Sequence, residues 1–189
     1  MPLKLGDKTI NIPFSKVYLG NALKYQNIRI IPFTTTLFPT AWTEITSTEY
    51  TGVNDYGNWI ITSESSSSSL YQAFDLDTST LWAASKKDDN VIIECPCSIQ
   101  PTSFYIKHAN LKDTSKIQGY NEISGAWEDL CSLTISGTFN SAKITEENLN
   151  ITTNNFYSKF KIYCYGYTNT SSLRPKLYEF QITSGEIKI

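Results

Sequence analysis

Histidine and methionine are nearly absent from this chain, one of each in 189 residues. A metal site built from nitrogen and sulfur therefore has little to draw on. The four cysteines do not make up the shortage: Cys95 and Cys97 form a lone Cys-Pro-Cys, while Cys131 and Cys164 stand far from it, a spacing that fits no zinc framework. Cys131 and Cys164 fall on the apolar beat of their segments and read as small, reduced core residues. Charge is scarce as well. Only 18% of residues are Asp, Glu, Lys or Arg, the formal net charge is −2, and the basic residues are scattered, so nothing attracts a phosphate backbone and no nucleic-acid partner is expected. No apolar run approaches the about 18 residues needed to cross a bilayer, and membrane insertion is not expected. The start, MPLKLGDKTI, lacks a basic segment followed by an apolar one, so no secretory signal is expected. No nucleophile elbow, HExxH or Gly-rich phosphate loop occurs, and the chain is expected not to be an enzyme.

What the chain has in quantity is Ser, Thr, Asn and Tyr in short alternating runs. In KFKIYCY, Phe160, Ile162 and Cys164 point one way and Lys159, Lys161, Tyr163 and Tyr165 the other, the period of a half-buried antiparallel strand. NWIITS (58–63), VIIEC (91–95) and SFYIKHA (103–109) read as further strands. In LYEFQI the same beat sends Tyr178, Phe180 and Ile182 to the core and Glu179 to the other side. No convincing amphipathic helix is present; SAKITEENL (141–149) allows a helical turn or two at most. The expected fold is all-β, an antiparallel sandwich or jelly roll.

Residues 1–38 differ in texture. Two segments, LKLGDKTI and VYLGNALKY, each place a Gly-Asp or Gly-Asn turn beside apolar residues, predicting short paired strands too few to stand as a domain. The division drawn is an attachment segment over 1–38 and a sandwich over 39–189. Pro32 and Pro39 bound a β-branched run that reads as an extended connector or edge strand, and Ser65 to Ser69 as a flexible connector.

The sandwich is organised around AFDLDTSTLW, Ala73 to Trp82, a tight polar loop with an apolar anchor at each end. Asp75, Asp77 and the hydroxyls of Thr78, Ser79 and Thr80 could hold a hard cation such as Ca²⁺, which takes about six to eight oxygen ligands. They could equally form a solvated turn whose side chains bond their own backbone.

This stretch resembles the AFDGDxSTxW signature of the discoidin family, the coagulation-factor C-type domains with the galactose-binding-like jelly roll. The resemblance continues in order through Ile117 to Leu130, Phe156 to Gly166 and LYEFQI, and covers about residues 41–189. It implies a calcium site in which Asp75 and Asp77, one by side chain and one by carbonyl, join Thr80 and Glu179. Leu76 stands where the family has glycine, a departure that matters if the position needs positive φ. It also implies carbohydrate binding on loops at one end of the sandwich, for which Tyr56, Trp59, His108 and Asn110 are the candidates, with Trp82 and Trp127 assigned to packing. The first residues resemble short N-terminal segments of tailed-bacteriophage tail and baseplate proteins over about 25 residues. Together these imply a virion protein, made in the bacterial host cytoplasm, that recognises a host-surface glycan. Residues 1–38 would dock on other virion proteins, with several copies in one assembly. A purely structural virion component and an accessory domain of a bacterial surface protein are the alternatives.

Overall fold

A computed structural model of the chain describes residues 28–65, 69–134, 143–168 and 173–189, together with the backbone of six short strands outside those ranges. Near the start, Leu3–Leu5 (β1) pairs with Lys8–Ile10 (β2) and Lys16–Leu19 (β3) with Ala22–Gln26 (β4), two antiparallel ladders, each a two-stranded sheet of its own. The strands that follow are Ile30–Phe33 (β5), Thr43–Thr46 (β6), Glu49–Asn54 (β7) and Gly57–Ser63 (β8). One 3-10 turn, Leu70–Ala73, precedes Trp82–Ala83 (β9) and the long strand Asp88–Ala109 (β10). Lys116–Asn121 (β11), Ala126–Ser132 (β12), Gly137–Thr138 (β13), Ser141–Ala142 (β14), Ile144–Asn150 (β15), Tyr157–Tyr165 (β16) and Lys176–Lys188 (β17) complete the chain.

The sandwich turns on β10. Residues 88–94 pair with β16 and β8, while 98–109 pair with β15 and β17, so a single strand of 22 residues serves both sheets. The change of sheet falls at Cys95-Pro96-Cys97, where the register with β16 shifts between Glu94 and Ile99. Proline has no N–H to give a ladder and is tolerated at such a corner. The first sheet runs β12-β11-β16-β10-β8-β7-β6; the second joins β15, the far half of β10 and β17, with β5 and β9 on the outer edge of β17.

Alternation then fills the space between the sheets. Phe160, Ile162 and Cys164 of β16, Ile61 of β8, Val91 and Ile93 of β10, and Phe104, Ile106, Phe180 and Ile182 from the second sheet are all fully buried. Phe38 gathers the aromatic part of this core, with ring centroids 5.2 Å from Trp59, 5.5 Å from Phe74 and 6.0 Å from Phe180. Side chains of this size each remove about 150–250 Å² from water, which is why Phe38 belongs to the sandwich and not to a connector.

Four expectations are corrected by this packing. First, β5 pairs with the end of β17, and Leu37 and Phe38 are buried, so the boundary drawn after residue 38 falls inside the sandwich. Second, residues 144–150, read as a helical turn at most, form β15 against β10. Third, Leu177 and not Tyr178 faces the core beside Phe180, because the β10–β17 register slips between Lys107 and His108 and leaves Tyr178 as the extra residue. Fourth, Ser65, expected in a flexible run, is buried and donates its hydroxyl to Asp89, while its Oγ accepts the Ser85 N–H at 3.1 Å. Ser66 to Ser68 lie outside the described residues.

Candidate functional site

The acidic loop is held from both ends. Phe74 and Trp82 are fully buried, and the Trp42 indole N–H donates to the Phe74 carbonyl at 3.0 Å. Between these anchors Leu76 takes φ +66°, the left-handed region glycine enters freely, so the loop holds a strained leucine at the position where the resemblance leads one to expect glycine.

The side chains of the loop separate into two roles. Asp77 turns its carboxylate to Ser79, accepting the backbone N–H at 2.8 Å and the hydroxyl at 2.6 Å, and these bonds hold its pKa below the usual carboxylate range. Asp75 accepts the Asp77 N–H at 3.0 Å and turns inward. There the Thr80 hydroxyl oxygen stands 3.1 and 3.2 Å from the two Asp75 carboxylate oxygens, 3.2 Å from the Gln72 carbonyl and 2.9 Å from the Asp77 carbonyl. One hydroxyl carries one proton. It can donate to one member of this ring at a time; the Asp77 carbonyl also accepts the Thr80 N–H at 3.2 Å and one Asp75 oxygen the Asp77 N–H, so the oxygens outnumber the hydrogens among them.

Glu179, from β17, closes the group. Its carboxyl is fully buried, and neither oxygen makes a hydrogen bond of normal geometry among the described residues; the Gln181 side chain and the Leu76 and Phe180 N–H groups lie near enough only to soften its environment. Burial, and after it the charge of Asp75, pushes its pKa up to about 8. Two facing carboxyls without a counter-ion are costly to ionise, and a cation reverses that sign. Among the described residues no three His, Cys, Asp or Glu side chains cluster as metal ligands. The donors available here are two carboxylates supplemented by carbonyls and a hydroxyl, the all-oxygen set that suits Ca²⁺. The Gln72 carbonyl is the member sequence reasoning missed, since backbone oxygens carry no residue signature.

The four sugar-binding candidates do not come together. Trp59 is wholly buried in the core, because its strand phase puts it beside Ile61 on the inner face. His108 is also fully buried on β10, with Nε2 2.7 Å from Glu147 Oε1, and burial depresses its pKa so that it is neutral at pH 7. Glu147 in turn accepts from the Thr134 N–H at 3.0 Å and from the Thr134 hydroxyl, so Glu147 of β15 ties His108 on β10 to Thr134, just past the end of β12. Asn110 is 1% exposed with φ +62° and donates from Nδ2 to the Arg174 carbonyl at 2.9 Å, the role of a strand-end corner. All three are structural residues, and the expectation that they touch ligand is withdrawn.

Tyr56 alone reaches solvent, 37% exposed at the β7–β8 turn. It lines an open cleft of about 320 Å³ whose other wall is the segment from Phe33 to Thr40. Asn54 builds the turn, donating from Nδ2 to the Leu37 carbonyl and accepting the Tyr56 N–H at 2.9 Å. Exposed Thr35, Thr40 and Asp55 supply hydroxyl and carboxylate groups around the ring. An aromatic face with a few fixed polar groups is what a sugar's C–H face and hydroxyls need. The threonine wall carries no sequence signal of its own, since residues 27–39 read as an extended connector or edge strand. Of the two signature tryptophans, Trp82 is fully buried, and Trp127 is half-buried against Tyr120 at 5.3 Å.

No family model matches the chain, and no curated protein matches it significantly. Solved structures do. CpGH89CBM32-6, a family 32 carbohydrate-binding module produced by Clostridium perfringens, superposes with a TM-score of 0.53 at 12% identity, over 70% of this chain and 96% of that one. Chitosan-binding module 1 from a chitosanase/glucanase of Paenibacillus sp. IK-5 gives 0.48 at 16% identity, over 64% and 91%. The family 32 module of C. perfringens NanJ, solved in complex with galactose, gives 0.47 at 11% identity, over 69% and 93%. The likeness to CpGH89CBM32-6 shows the fold, and it is the discoidin-like jelly roll expected from the signature segments.

Proposed function

We propose that this chain is a non-catalytic carbohydrate-binding module of a tailed-phage virion, recognising a host-surface glycan through the rim cleft at Tyr56. The observation that carries the reading is the exposed Tyr56 ring set opposite a threonine-rich wall, on a fold shared with a carbohydrate-binding module. A glycan array probed with the intact chain and with Tyr56→Ala tests it. Wild type retains at least one glycan class, and the variant loses it while melting at the same temperature. Retention of no glycan by the wild type, or equal retention by both proteins, overturns the reading.

A structural Ca²⁺ belongs to the same proposal. The Asp75 carboxylate, the Asp77 and Gln72 carbonyls, the Thr80 hydroxyl and Glu179 would hold it; the buried, unpartnered oxygens of Glu179 support this. Bound there, the ion would neutralise the two facing carboxyls and tie the loop to β17. Chelator-treated protein then gains melting temperature on addition of millimolar Ca²⁺, and an unchanged melting curve removes the ion from the proposal.

The chain ahead of β5 is proposed to carry the particle contact, from the β1–β2 and β3–β4 ladders, which pair outside the sandwich sheets. Several copies would present their clefts from one assembly. Imaging of the intact particle tests this through the neighbours of those ladders. The burial of Trp59, His108 and Asn110 favours one other reading, a purely structural virion component, and the glycan array separates the two.

A further inference from the structure

The outer face of the first sheet carries a second feature that the rim cleft does not use. Along β16 the residues turned away from the core are Lys159, Lys161, Tyr163 and Tyr165, all half-buried. Tyr163 and Tyr165 stack at 6.4 Å and 25°. The lysines around them are of two kinds. Lys87, Lys116 and Lys159 each have a carboxylate partner, at 3.9, 2.9 and 3.2 Å. Lys112 and Lys161 have none within ion-pair distance among the described residues and lie on aromatic rings instead: Lys161 Nζ is 4.4 Å from the Trp127 centroid, and Lys112 Nζ is 5.0 Å from that of Tyr165.

An exposed sheet face of Tyr and Lys is ordinary, and opposite charges on such faces usually pair across strands. Here Lys161, midway along β16, and Lys112, past the end of β10, stay outside those ion pairs, in a chain of net charge −2. Their ammonium groups are held in place by the rings, so little side-chain freedom is left to lose when an anion arrives. Burial, and after it the nearby Lys116, hold Lys161 below the usual ammonium range against the opposing pull of Glu64 and Asp129, a penalty that a further anion relieves. From Lys161 to Tyr165, over which Lys112 sits, is four residues of extended chain, roughly 13 Å. A single sugar ring is too short to meet both cations; an extended polymer with a carboxylate on successive units can.

We propose that this face is a second ligand surface, separate from the rim cleft, which takes an extended carboxylated glycan along β16 with Lys112 and Lys161 as its charge contacts. It stands independently of the Tyr56 reading. Affinity electrophoresis of the intact chain in native gels containing alginate or dextran tests it. Alginate retards the wild type and dextran does not; Lys112→Gln with Lys161→Gln weakens the apparent affinity for alginate about tenfold. The pair Lys143→Gln with Lys188→Gln, which removes the same charge from exposed positions elsewhere, and Tyr56→Ala both leave the affinity unchanged. The proposal is overturned if alginate does not retard the wild type, if dextran does so equally, or if the Lys112/Lys161 variant behaves as wild type. Equal loss in the Lys143/Lys188 control, or loss in Tyr56→Ala, overturns it as well. Should the double variant fold poorly by circular dichroism, Lys112→Gln alone, at a position beyond the end of β10, serves in its place with a proportionately smaller loss.

Discussion

The acidic loop and the rim cleft lie on one sandwich but were built by different rules. In the loop, Asp75, Asp77, Thr80 and the anchors Phe74 and Trp82 sit within nine residues, and local geometry alone gives each side chain its task. In the cleft, the walls come from segments about twenty residues apart, brought together because Phe38 packs on Trp59 and Asn54 binds the Leu37 carbonyl. The difference teaches that a short spacing can be read from sequence, whereas a shared wall depends on which neighbouring side chains strand phase turns inward.

The sharpest way to break the comparison is to cut one residue on each side of the cleft wall. Trp59→Ala removes a wholly buried ring and is expected to cost about 3–5 kcal/mol, enough to unfold much of the chain in a urea titration. Tyr56→Ala, three residues earlier and exposed, is expected to change stability by under about 0.5 kcal/mol. Comparable losses from both would mean that Tyr56 is part of the core and the cleft is not an open surface.

Acid titration addresses the loop with a smaller effect. Glu179 has its folded pKa raised from 4.5 to about 8, so its contribution to stability is fully present below pH 4.5 and is lost as pH rises through 8. In chelator, the wild type therefore loses on the order of a few kcal/mol between pH 4.5 and 8, relative to Glu179→Gln. Its depressed pKa gives His108 the opposite sign, with stability present above about pH 6.5 and lost as pH falls. Taking the difference between wild type and Glu179→Gln removes that second contribution. Added Ca²⁺ flattens the wild-type curve and leaves the variant unmoved. A variant that still gains melting temperature from Ca²⁺ would place the ion elsewhere.

The smallest effect concerns the loop backbone. Leu76→Gly relieves a leucine held at φ +66° and exposed to solvent, and is expected to stabilise by about 1 kcal/mol, read from the denaturant midpoint. A loss would show that the Leu76 side chain packs in a way its exposure conceals.

Much of the architecture was legible because strands advertise their period. The alternation in KFKIYCY placed Phe160, Ile162 and Cys164 inside, and they are there. The period failed where a strand slips: the irregularity opposite Lys107 and His108 exchanged Tyr178 for Leu177, and no residue marks it. It also failed at β15, whose polar ITEENLN pairs along one edge of β10 and gains its strand character from that pairing and from the His108–Glu147 contact. For the site, a His and an Asn after a strand looked like ligand contacts, yet the sheet buried both.

By itself the sequence determined the jelly roll and the loop that pairs Asp75 with Thr80, since these rest on periodicity and on contacts a few residues apart, and it left open the backbone at Leu76. Only the tertiary structure decided that Glu179 is buried with no hydrogen bond of normal geometry among the described residues, that Trp59, His108 and Asn110 face inward, and that residues 34–40 wall a cleft with Tyr56. Burial is a property of what packs from across the chain, and a single strand's pattern shows which side a residue takes but not what covers it.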